Sequence, residues 1–132
     1  MIYQGHFTRT AIRITAGKIK LKAELNDSPT AKAILNALPI RAKGNRWGGE
    51  IYFPIPVKAK IEKGNSRDVL EAGELGYWPT GSAFCIFFGK TPASEEDEIR
   101  AASDVNIIGK IAGDVSELWN VPDGAEVLIE KG

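Results

Sequence analysis

Glu50 and Tyr52 stand at alternate positions of the run Glu50-Ile51-Tyr52-Phe53, so as a strand it presents both on one face. Tyr77-Trp78 directly precedes Pro79-Thr80-Gly81, a turn of the kind found at the mouth of a β-barrel, and Phe84 follows on the next strand. Aromatic rings with one polar handle serve binding surfaces well, so these side chains are the first candidates for an aromatic hollow. Ordinary core or rim packing is the competing reading. Arg46, Glu50 and Arg100 would supply charge to such a hollow, unless they serve as surface ion pairs. Asn106 is polar within the apolar Val105-Asn106-Ile107, which makes it either a satisfied hydrogen-bonder or a group aimed into the site.

Other reactive side chains offer less. A cysteine nucleophile needs a cationic or helix-end neighbour, and Phe84, Ile86, Phe87 and Phe88 give Cys85 none. A buried, inert thiol is expected there. His6 has no paired carboxylate and is assigned no role. One Cys and one His cannot build a zinc site, and Glu95-Glu96-Asp97-Glu98 reads as a solvated loop. No cofactor or metal is implied.

The 132 residues are 43% hydrophobic and 26% charged, the balance of an ordinary folded domain, and suffice for a core without disulfides. They are read as one domain over 1–132, with 1–10 an N-terminal extension or edge segment. No apolar run is long enough for a membrane span, and the start lacks the basic and apolar stretches of a signal peptide. The expected location is the cytoplasm. A net charge of zero disfavours nucleic acid or an anionic membrane as partner. The charges are nevertheless split: residues 1–70 carry 13 basic and 5 acidic side chains, residues 71–132 carry 4 and 12. Intermixing of the two halves on folding is the plain reading; a basic face, with Lys18, Lys20 and Lys22 on one strand, is the other.

The elements that must position these residues follow from periodicity. Ile12 and Ile14, then Ile19, Leu21, Ala23 and Leu25, alternate with polar residues around Ala16-Gly17, which predicts a hairpin. Ser28-Pro29 caps a short helix over residues 29–38, with Ile34, Leu35 and Leu38 on its buried face and Pro39 as its stop. Residues 50–57 read as a strand whose two prolines, at the same parity, should end it at a sheet edge or take it out of the ladder there. Residues 83–88 are apolar at both parities, so that strand is covered on both faces. Residues 92–104 read as a long polar loop, Val105 to Ile111 as a strand, and Asp114-Val115-Ser116-Glu117 as the capping box of a second short helix. Val127 to Ile129 is the last strand. Closure into an eight-stranded, mostly antiparallel barrel is the economical way to remove sheet edges. Ile12, Ile14, Ile19, Leu21, Phe53, Ile86 and Ile108 would point inward.

Four segments in order carry a family resemblance: Asn26-Asp27-Ser28-Pro29-Thr30-Ala31, Trp47-Gly48-Gly49-Glu50-Ile51-Tyr52-Phe53, Gly73 to Gly89, and Ile99 to Gly109. Together they resemble the small cyclophilin-like proteins of bacteria and archaea, a family of unknown function, over about residues 12–130. The resemblance implies an eight-stranded closed barrel with two capping helices. The prolyl isomerases that gave the fold its name are similar along Ser82 to Thr91 and Val105 to Ile111, but their catalytic parts do not carry over. Their pocket aromatic falls on Cys85 and their late His on Asp104. Their Arg-bearing signature has no counterpart, although Arg46-Trp47-Gly48-Gly49-Glu50 lies nearby.

Fold alone does not transfer activity. The expected function is therefore binding of a small molecule or extended peptide at Arg46, Glu50, Tyr52, Tyr77, Trp78, Phe84, Arg100 and Asn106. The alternative is a divergent prolyl isomerase that uses Arg46 or Arg100. The expected assembly is a monomer or weak homo-oligomer.

Overall fold

The structure, a computed structural model, describes residues 9–132. His6 and most of the expected N-terminal extension lie outside them, while Thr10 already opens the first strand. Strands β1 (Thr10–Ala16) and β2 (Ile19–Leu25) form the expected hairpin, with Ile14 opposite Leu21. Helix α1 spans Pro29–Ala37. Ser28 caps it by accepting from the Ala31 N–H at 3.2 Å, and Pro29 occupies the first turn, where it needs no hydrogen-bond partner.

Eight further strands follow: β3 (Ile40–Lys43), β4 (Asn45–Arg46), β5 (Glu50–Pro54), β6 (Ser66–Leu70), β7 (Glu74–Trp78), β8 (Ala83–Phe87), β9 (Ile99–Ile111) and β10 (Glu126–Lys131). All pairings are antiparallel. The main path runs β3-β10-β1-β2-β9-β7-β8-β5-β4, with β6 added beside β9.

The described residues form a mostly β, antiparallel sheet as expected, but with more than the eight strands expected. The sheet has ten strands, and its hydrogen-bonded ladder is open, with β3 and β4 at its ends. Those two ends are consecutive in the chain, separated by Gly44 alone. The Gly44 N–H donates to the Ala125 carbonyl at 2.8 Å, and its own carbonyl accepts from the Gly124 N–H at 2.8 Å.

Three further differences have local causes. The second helix is only a 3₁₀ turn, Ser116–Asn120, because Asp114 bonds the Ser116 backbone and hydroxyl in a local turn instead of capping an α-helix. Residues 99–104 are strand, not loop: the mostly polar β6 pairs with them, Leu70 opposite Ile99 and Val69 opposite Arg100. On α1, Ile34 is fully buried and Leu35 half-buried, and Leu38, the residue that caps the helix C-terminus, is likewise half-buried against the core.

Two apolar clusters share the strands between them. Ile12, Ile14, Phe53, Phe84, Ile86 and Ile108 belong to the larger, with Ile19 and Leu21 packed half-buried at its margin. The smaller gathers Leu70, Ala83, Cys85, Phe87, Ile99, Ala101 and Val105. Every residue of β8 is buried, because its even positions face the large core and its odd positions the small cluster. The N-terminal half of β9 thus lies over the outer face of β5, β8 and β7.

Candidate functional site

A cavity of about 260 Å³ opens beside the smaller cluster. Trp47, Glu50 and Tyr52 form one wall and Trp78 a second. Ala101, Ala102 and Val105 of β9 supply small apolar surface. Strand parity explains the selection: Glu50 and Tyr52 sit opposite Phe87 and Cys85, and Trp78 opposite Ala83, all on the face that β9 covers.

Local backbone chemistry holds the wall in place. Trp47 and Glu50 flank a two-residue hairpin turn, closed by the Trp47 N–H donating to the Glu50 carbonyl at 2.9 Å. Gly48 takes φ +61°, a conformation that favours glycine. Gly49 is pressed onto the backbone after β8 so closely that a Cβ there would stand 2.3 Å from the Gly89 carbonyl carbon. Its N–H donates to the Lys90 carbonyl at 2.7 Å, and its carbonyl accepts from the Phe88 and Gly89 N–H groups. The Trp78 indole N–H donates to the Ser103 hydroxyl at 2.7 Å, tying β7 to β9 across the cavity.

Glu50 gives the cavity its electrostatic character. The residue is 6% exposed, and no Lys or Arg lines the space with it. The Cys85 thiol lies beside its carboxyl, while the thiol's own hydrogen bond goes to the Ala83 carbonyl at 3.8 Å. Burial dominates and pushes the Glu50 pKa up to about 7, the neighbouring Cys85 thiol offsetting only part of that rise. Burial likewise pushes the Cys85 thiol well above its ordinary value, and the Glu50 charge adds to the effect. The thiol's burial is what its apolar neighbours led one to expect, and a buried, protonated thiol is a poor nucleophile.

Of the eight residues singled out in the sequence, the cavity brings together Glu50, Tyr52 and Trp78. The others are occupied elsewhere. Tyr77, next to Trp78, must face the opposite side of β7; it is fully buried, donates its hydroxyl to the Val57 carbonyl at 2.6 Å and accepts from the Ala59 N–H at 3.2 Å. Phe84, its cross-strand partner, stacks on Phe53 in the large core at 5.4 Å between centroids.

Arg46 gives its guanidinium to the carbonyls of Gly48 and Val121 at 2.9 and 2.6 Å. It also lies 5.2 and 5.5 Å from the ring centroids of Phe88 and Trp119. Arg100 is tied to Asp68 at 2.7 Å and Glu98 at 2.5 Å. Asn106, fully buried, accepts from the Glu62 N–H at 2.8 Å and donates to the Lys60 carbonyl and Thr30 hydroxyl. The Glu62 carboxylate in turn accepts from the Thr30 N–H at the start of α1. These contacts hold the 58–65 connection against the helix.

Trp47 and the β9 residues Ala101, Ala102 and Val105 are cavity residues that the sequence reading had not singled out as a site. Trp47 shares the Trp-Gly-Gly-Glu turn with Glu50, a usable signal. The small residues of β9 give none, because their place depends on β9 folding across β8. Among the described residues no group of three or more His, Cys, Asp or Glu could hold a metal ion. No helix among them is long and apolar enough to cross a membrane.

An antiparallel sheet capped by one helix, with an apolar site on its outer face, is the setting for the comparisons with known proteins. The family model described as Cyclophilin-like matches residues 10–130. The chain belongs to this cyclophilin-like family. Among solved structures it is similar to the solution structure of the hypothetical protein AF2241 from Archaeoglobus fulgidus, at 41% sequence identity and a TM-score of 0.82. The match covers 98% of this chain and 100% of that one. No curated protein matches the chain.

Proposed function

We propose that this domain binds a small molecule, or one side chain of an extended peptide, in the cavity between β5, β7 and β9, and that it does not turn over X-Pro bonds. The observation that carries the reading is the lining: two indoles and a phenol around a buried carboxyl, with small apolar residues opposite. About 260 Å³ lies near the small end of ligand sites, which suits a compact group.

Catalysis of prolyl isomerisation needs a donor already placed where charge develops. Arg46 is saturated by backbone carbonyls and Arg100 by two carboxylates, so neither stands free for that role. In this reading the chain acts in the cytoplasm as a monomer or weak homo-oligomer, its sheet a barrel completed through the chain at Gly44.

Trp47 and Trp78 report on occupancy directly. A library of small fragments, titrated while following tryptophan emission and amide shifts, should perturb the Trp47–Tyr52, Trp78 and Ala101–Val105 resonances together. Binding confined to other surfaces would refute the site. A prolyl isomerase assay beside an authentic cyclophilin should show no protein-dependent rate. Turnover within tenfold of that control, lost in Arg46→Ala or Arg100→Ala, would establish a divergent isomerase instead.

A further inference from the structure

We propose that the group this cavity takes is an organic cation, an ammonium head seated against Trp47, Tyr52 and Trp78 with Glu50 as its counter-charge. The inference rests on the binding reading above and narrows it to a ligand class.

The ring faces of Trp and Tyr carry negative potential and attract weakly hydrated cations. A buried carboxylate adds a full negative charge, and among the described residues no side-chain cation lines the cavity to neutralise it. An ionised Glu50 with an empty cavity is therefore a buried charge without a partner, a costly state that an entering cation relieves. A neutral ligand offers no such relief.

The walls also discriminate among cations. Calcium takes six to eight oxygen ligands and magnesium keeps a shell of waters that polar groups must hold, and apolar walls with a single carboxyl serve neither. An alkylammonium group presents methyl or methylene surface to the rings and needs only one counter-charge. The other titratable groups around the carboxyl are the Cys85 thiol on β8 and the Tyr52 phenol on β5. Arg46 on β4 is committed to carbonyls, and β9 contributes only Ala101, Ala102 and Val105 to the lining.

Tetramethylammonium chloride and the uncharged 2,2-dimethylpropanol, of similar shape, separate the possibilities. Each is titrated by amide shifts at constant ionic strength, at pH 5.5 and pH 8.5, into the wild type and Glu50→Gln. With Glu50 titrating at about 7, its ionised fraction rises about thirtyfold between those conditions. Tetramethylammonium affinity should rise by a factor approaching that, and the rise should vanish in Glu50→Gln. The affinity for the alcohol should stay constant with pH. Equal, pH-independent binding of both compounds overturns the cation assignment and leaves the binding reading standing. Failure of both compounds and of the fragment library to shift the cavity resonances overturns the binding reading, and the cation assignment with it.

Discussion

Replacing Glu50 with Gln should stabilise this protein above neutral pH while leaving it nearly unchanged in mild acid. Glu50 is 6% exposed and its carboxyl titrates at about 7, against 4.5 for its ordinary value. Between those two values the folded chain holds a proton at Glu50 that the unfolded chain has released. Raising the pH through that window therefore favours unfolding, and the whole penalty is present above pH 7. At about 1.4 kcal/mol per pH unit the rise corresponds to roughly 3 kcal/mol. Glutamine keeps the shape and removes the charge. Urea denaturation of both proteins at pH 4.5 and pH 8.5 isolates the effect, because the other carboxylates are common to both. The expected result is a difference of about 1–3 kcal/mol in favour of Glu50→Gln at pH 8.5 and little difference at pH 4.5. A variant destabilised equally at both pH values would show that the carboxylate is satisfied in a way the burial argument misses, and would refute it.

Four further substitutions test how the site and the helix are held. Gly49→Ala puts a methyl group 2.3 Å from the Gly89 carbonyl carbon, so the hairpin carrying Trp47 and Glu50 must shift. It should cost about 1–3 kcal/mol in urea denaturation and alter tryptophan emission. Tyr77→Phe removes a buried hydroxyl bonded to Val57 and Ala59 and should cost about 1–3 kcal/mol, with the amide shifts of the cavity residues nearly unmoved. Ile34→Ala should cost about 2–5 kcal/mol, and Leu35→Ala, half-buried on the same helix, distinctly less, both read by chemical denaturation.

What could be read in the sequence follows from how local the signal is. The β1–β2 hairpin and the cap at Ser28-Pro29 depend on neighbours in the chain, and both stand where the pattern places them. The double burial of β8 was also readable, since both of its parities are apolar, and that property implies a second covered face. Which residues share that face was harder. Tyr77 and Trp78 read as a pair, yet adjacent strand residues point to opposite sides, and only Trp78 reaches the cavity. Arg46 and Arg100 are just as attractive by type, but their partners Val121 and Asp68 are remote in sequence. Strand β6 and the first half of β9 carry little alternation of their own. Their structure comes from pairing with each other over β8, a tertiary effect that no local window contains.

The single residue between β3 and β4 changes how the sheet can come apart. In an open sheet the end strands fray independently, each a separate place where another chain can add. Along the main path of this sheet, both ends belong to the stretch 40–46, so peeling β3 from β10 pulls on β4 where it pairs with β5. The two frays become one event that must break both pairings at once. Exchange of strands between two copies would have to pass the middle of the chain, not a loose terminus. Gly44 thus acts as a seam: the least protected strands of the path guard one another because the backbone gives them no separate existence.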